Sequence, residues 1–119
     1  MSHKIVVLTT AGNEEQALKI ANELVNNKLA ACVNIIPTIH SIYRWKGKIW
    51  NDTEKLLLIK TASHLFQEVR KKIKAVHSYE LPEIIAFKVE KGDENVLKWI
   101  DESILKETSL AKKKAKKKS

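Results

Sequence analysis

Between His77 and Ile84 the chain reads HSYELPEI, which sets an imidazole, a phenol, two carboxylates and a proline within eight residues. His77 has the chemistry of a metal ligand or a general base, and Tyr79, Glu80 and Glu83 have that of proton carriers. The same residues also suit a structural connection. A helix ending near His77 would welcome its charge, Tyr79 would pack, and Pro82 would open an edge strand. Cys32, within AACVNI, is either a soft thiolate ligand fit for copper(I) or zinc, or a small apolar residue in a strand. Glu54 and Lys60 are charges set in apolar strand sequence, where a buried pair would mark a functional cleft. Tyr43, Arg44, Trp45 and Trp50 crowd a single turn, a composition found in interface cores.

Motifs that would give these groups a defined reaction are absent. There is no glycine-rich phosphate loop, since AGNEEQ holds one glycine, no HExxH and no nucleophile elbow. His3, His40, His64 and His77 have no i, i+4 spacing, and one cysteine rules out a zinc finger. No enzymatic activity is expected.

The elements that must position these residues follow from periodicity. Lys4 to Thr10, rich in β-branched residues, predicts a strand. Asn13 and Gln16 predict a capping box for a helix whose apolar face is Ala17, Ile20, Ala21, Leu24 and Val25, ending at Asn26 and Asn27 in left-handed backbone. From Ala30 to Thr61 helical periodicity is missing and one turn, Lys46-Gly47, divides the stretch into a long hairpin. Ser63 predicts the N-cap of a second helix with Leu65, Phe66, Val69, Ile73 and Val76 inward. EIIAFKVEKG predicts a strand to Gly92, and Asp93 caps a third helix with Val96, Leu97, Ile100 and Ile104 on one side.

The resulting order of strand, helix, strand, strand, helix, strand, helix is α+β and matches the ferredoxin-like βαββαβ arrangement with an extra C-terminal helix. Each hairpin arm is long enough to reach about 45 Å, beyond a domain of about 30 Å, so the hairpin must bend or project. Pro37, which cannot donate to a ladder, is the expected bend or bulge. KIVVLTT and KLLLIKT are apolar on both sides, as in strands buried on both faces. An overlong hairpin and a doubly apolar sheet together predict an oligomer.

The 119 residues make one domain, read as 1–107, and their 44% hydrophobic and 30% charged content is that of a globular protein. No apolar run approaches the roughly 20 residues of a membrane span, and the lone cysteine agrees with a reducing compartment, so the expected location is cytoplasmic. Residues 108–119 are lysine-rich and are expected to be a disordered tail. Six lysines there carry most of the +8 net charge, and without them the body is near +2. The body shows no basic motif, so no nucleic-acid partner is expected.

At KLAACVNI, SIYRWKGKI, EKLLLIKT and HSYELPEI the chain resembles the CutA divalent-cation-tolerance family, from about Ile5 to Ile104. The resemblance implies a ferredoxin-like subunit, a tight homotrimer similar to the PII signalling proteins, hairpins that reach across to neighbours, and a role in the response to divalent metal ions. It implies copper, or another divalent cation, as the ion concerned, with Cys32 of the AAC motif and His77 as candidate ligands. Some bacterial members have two adjacent histidines where this chain has Val76-His77, which removes one ligand. The resemblance also implies an intersubunit cleft lined by Tyr43, Trp45, Glu54, Lys60, His77 and Tyr79, with Glu83 of the Tyr-x-x-Pro-Glu pattern. Three other readings stand beside this one. They are a PII-like sensor of a small anion held by Lys60 and Arg44, an acid–base enzyme using His77, Tyr79 and Glu80 or Glu83, and a trimeric assembly scaffold.

Overall fold

Alternation along KIVVLTTA sends Ile5, Val7 and Thr9 to one side of strand β1 (Lys4–Ala11) and Val6, Leu8 and Thr10 to the other. The computed structural model describes residues 2–118, the side chains of 113 and 115–118 excepted. After β1 come α1 (Glu14–Asn26), the hairpin β2 (Cys32–Trp45) and β3 (Lys48–Ala62), α2 (Phe66–Val76), β4 (Ile85–Lys88), α3 (Glu94–Ser103) and α4 (Glu107–Lys118). The sheet runs β2-β3-β1-β4 with every neighbouring pair antiparallel. No described helix is long and apolar enough to cross a membrane.

The core lies between one sheet face and the helices. Val7, Leu57 and Ile59 from the sheet, Ile20 and Leu24 from α1, and Leu65, Val69 and Ile73 around α2 are fully buried. Each such side chain contributes about 1.5–3 kcal/mol relative to exposure.

Several local expectations are met in modified form. Asn13 Oδ1 accepts from Gln16 N at 2.8 Å, but Gln16 does not close a capping box; its Nε2 donates to Val76 O at 2.8 Å and ties α1 to the end of α2. The left-handed residue after α1 is Lys28 (φ 58), whereas Asn27 (φ −91) donates its side-chain amide to Glu23 O. Ser63 does not cap α2. It opens a 3-10 turn (Ser63–Leu65), and its hydroxyl accepts from His3 N at 3.1 Å, fastening the end of β3 to the start of β1. Asp93 caps α3 as expected, accepting from Asn95 N and Val96 N. The last strand is shorter than its apolar run, because only Ile85–Lys88 finds a partner, along the edge of β1.

The hairpin has arms of 14 and 15 residues. Its register slips between Ile36 and Ile39, so Pro37 and Thr38 face Lys55 in a bulge. Lys46 (φ 50) and Gly47 (φ 77) are both left-handed, the conformation a two-residue type I′ turn requires.

The sheet's second face carries Val6, Leu8, Leu56 and Leu58, with Ile36 39%, Ile85 46% and Phe87 56% exposed. α3 reaches only its end, where Lys4 pairs with Asp101 at 2.9 Å.

Past residue 107, the segment expected to be a disordered tail is helical in the structure as α4. Alanine and lysine are good helix formers, and Leu110, 9% exposed, anchors the first turns on the core.

Candidate functional site

α2 stops at His77, whose backbone turns extended (φ −83, ψ 142) while its N–H closes the helix on Ile73 O at 2.8 Å. The ring then meets the end of β1, with His77 Nε2 lying 2.6 Å from Thr10 O. A carbonyl only accepts, so Nε2 carries the proton and Nδ1 is left as an acceptor. Tyr79 N donates to that Nδ1 at 3.0 Å. Both imidazole nitrogens are therefore engaged by backbone groups of the same chain, and neither offers a free lone pair to a metal.

This clasp aims Tyr79. Its ring sits 4.6 Å from the His77 ring, tilted by 49°, and lies over Gly12, where an added Cβ would come within 3.2 Å of the phenol oxygen. The phenol donates to Glu54 Oε2 at 2.9 Å. Glu54 is 8% exposed, and its position at the bulge directs it away from the helices, on the side of Leu56 and Leu58. Nearer the hairpin tip, Tyr43 Oη donates to Asp52 Oδ2 at 2.5 Å. Burial and the Glu54 carboxylate push the Tyr79 phenol well above its ordinary range. The hydrogen bond to Asp52 raises Tyr43 to about 12. In each case the nearby negative charge opposes formation of a phenolate.

Together these residues line a cleft of about 740 Å³ where the hairpin rises beside the 77–84 connection. Trp50 Nε1 donates to Trp45 O at 3.0 Å, and Lys46 spans 3.1 Å to Glu80, so the tip is tied to the connection. Asp52, Glu54, Glu80 and Glu83 line the cleft with Arg44 and His40, and Glu80 is met by Lys46 from the hairpin tip. It is an acidic, aromatic hollow.

Of the residues expected to share a cleft, Tyr43, Trp45, Glu54, Tyr79 and Glu83 do so. Lys60 does not. It lies six residues along β3 from Glu54, about 20 Å at strand spacing, where it donates to Asn34 Oδ1 beside its register partner Cys32. His77 holds Thr10, which is four residues, about 13 Å, along β1 from the level of Lys60 and Cys32. The two candidate ligands Cys32 and His77 are thus in different places. Among the described residues no three His, Cys, Asp or Glu side chains converge in a way that would hold a metal ion.

Three contributors escaped sequence reasoning. Asp52 was legible in principle, because it lies two residues from Glu54 and so on the same side of the strand. Gly12 and the Thr10 carbonyl carried no signal, since their roles depend on which segments the fold brings over them.

The family model described as CutA1 divalent ion tolerance protein matches residues 5–103. The chain is 47% identical over 98 residues to the divalent-cation tolerance protein CutA of Thermus thermophilus, covering 82% of this chain and 95% of that protein. It is 44% identical to the chloroplastic protein CutA of Arabidopsis thaliana over 83% of this chain, and spans about half (54%) of that relative's length. The solved structure of the Thermus thermophilus protein superposes with a TM-score of 0.84 at 45% identity, over 86% of this chain and 99% of that one. By these matches the chain belongs to the CutA1 divalent ion tolerance family.

Proposed function

We propose that this chain serves divalent-cation tolerance as a non-enzymatic homotrimer of ferredoxin-like subunits in the cytoplasm, and that cations are met at the acidic cleft once neighbouring subunits complete it. The observation that carries the reading is the composition of the cleft, where the four carboxylates Asp52, Glu54, Glu80 and Glu83 outnumber Arg44 and the Lys46 that pairs with Glu80, with His40 on the same lining. Carboxylate oxygens suit hard divalent cations and accept copper(II) as well.

One subunit does not fit a metal by itself. Glu54 and Asp52 are engaged by Tyr79 and Tyr43, and His77 has no free nitrogen. Any cation site must be built between subunits. The uncovered apolar sheet face supports assembly, because surface of that kind on a lone subunit favours burial. In this reading His77 positions Tyr79 and is not a ligand.

The cleft disfavours the alternative of a sensor for a small anion. Its carboxylates would repel the ligand, and Lys60, the expected counter-charge, is about 20 Å along the strand from Glu54.

Calorimetric titration of copper(II), zinc(II) and manganese(II) into the purified protein tests the reading, alongside Glu83→Gln and His77→Ala and with native mass spectrometry of each. A trimer mass, with micromolar or tighter binding of a cation that weakens at least tenfold in Glu83→Gln, is expected. Absence of binding by an intact trimer would remove direct cation contact at the cleft, and a monomer mass would remove the assembly.

A further inference from the structure

The lysine block has no surface to belong to in the sequence, but the fold gives it one. α4 docks beside α2, with Leu110 on the core and Lys114 Nζ 3.3 Å from Glu68 Oε1. A hollow of about 350 Å³ between them is lined by Lys71 and Lys72 of α2 together with Lys114. α2 carries Arg70, Lys71, Lys72 and Lys74 in close succession. Lys114, from the lysine-rich helix, is thus brought beside the basic residues of α2.

Among the described residues two carboxylates meet this charge, Glu68 at Lys114 and Glu23 at Lys72 (3.7 Å). Like charges gathered in this way repel one another until a polyanion joins them. Segment 104–119, which holds α4, lies outside the family match, whereas α2 lies within it.

We propose that α4 and the adjoining side of α2 bind the phosphate backbone of duplex nucleic acid without reading its sequence. Residues 112–118 hold six lysines. At 1.5 Å rise per residue that is one charge per ~1.7 Å, close to the ~1.7 Å charge spacing of duplex DNA. Beyond Leu110 the only apolar residues are Ala111 and Ala115, which offer nothing bulky to insert into a bilayer and no ring to stack on single-stranded bases.

Fluorescence anisotropy of the full chain with a labelled 20-base-pair DNA duplex, titrated with NaCl, tests this. Log affinity should fall with log salt at a slope of about −5, losing about 10³-fold between 50 and 200 mM. A chain ending at Ala111, which keeps the Leu110 anchor, should lose binding. Lys71→Glu with Lys74→Glu, both exposed, should weaken binding at least tenfold and make the slope shallower by about 2. No binding at 50 mM salt would overturn the proposal. So would an unchanged slope in the double variant, or capture by phosphatidylserine vesicles without capture of the duplex.

Discussion

Tyr79 and Glu54, 25 residues apart in the chain, meet through one hydrogen bond of 2.9 Å that joins the helix-to-strand connection to the long hairpin. A carboxylate only 8% exposed needs a donor, and the phenol is the donor it has. Tyr79→Phe leaves that carboxylate buried and unanswered, which costs about 1–3 kcal/mol. Glu54→Gln removes the charge and keeps an acceptor, so it should cost less. Guanidinium unfolding at matched protein concentration checks the order of the two variants. Equal midpoints would mean that water reaches Glu54 once the phenol is gone.

The two tyrosines of the chain, Tyr43 and Tyr79, are both raised above their ordinary value of 10, so phenolate absorbance reads only these two groups. Little phenolate should form in the folded protein at pH 10. Asp52→Asn removes the main cause at Tyr43 and should return its midpoint from about 12 toward 10, leaving Tyr79 high. The folded state holds these protons more tightly than the unfolded chain. The corresponding stabilisation is therefore complete below pH 10 and is lost as pH rises from about 10 through 12. A single midpoint near 10 for both groups would contradict the two tyrosine–carboxylate pairs.

Gly12 permits the close approach of the Tyr79 ring. In Gly12→Ala the new methyl group would stand 3.2 Å from the phenol oxygen and 3.4 Å from Cε1, tighter than ordinary contact. The ring must shift by a few tenths of an ångström, which lengthens its bond to Glu54. Absorbance titration of the variant should show the Tyr79 midpoint lowered and that of Tyr43 unmoved. If Tyr79 titrates as before, the connection is pliable enough to follow its ring.

Local chemistry decided what the sequence could reveal. Asn13, Asp93, Pro37 and the Lys46-Gly47 turn act on their own neighbours, so their roles were legible from residue type and spacing. Gln16 and Ser63 depart from the local pattern because each has a partner remote in sequence, Val76 and His3, that no local rule anticipates. In the lysine segment, charge alone carries no sign that Leu110 finds a place beside α2 and Leu105. The candidate site shows the same division. Tyr43, Trp45, Glu54, Tyr79 and Glu83 follow from the resemblance and line one cleft, but the tautomer of His77 depends on a carbonyl 67 residues away.

The uncovered sheet face yields the last prediction. Phe87 stands opposite Val6, and Ile85 opposite Leu8, on the side of β1 away from the helices. Both are roughly half exposed, and neither belongs to the buried core. Phe87→Asp should therefore leave each subunit folded while placing a charge in the apolar surface that the proposed trimer would cover, where an unpaired carboxylate is strongly unfavourable. Native mass spectrometry should show the wild-type chain at three times 13.6 kDa and the variant at 13.6 kDa, with its helical circular dichroism retained. A variant that keeps the wild-type mass on dilution would place the contacts between subunits elsewhere, leaving the hairpin tip, with Ile42 71% and Ile49 67% exposed, as the surface to test next.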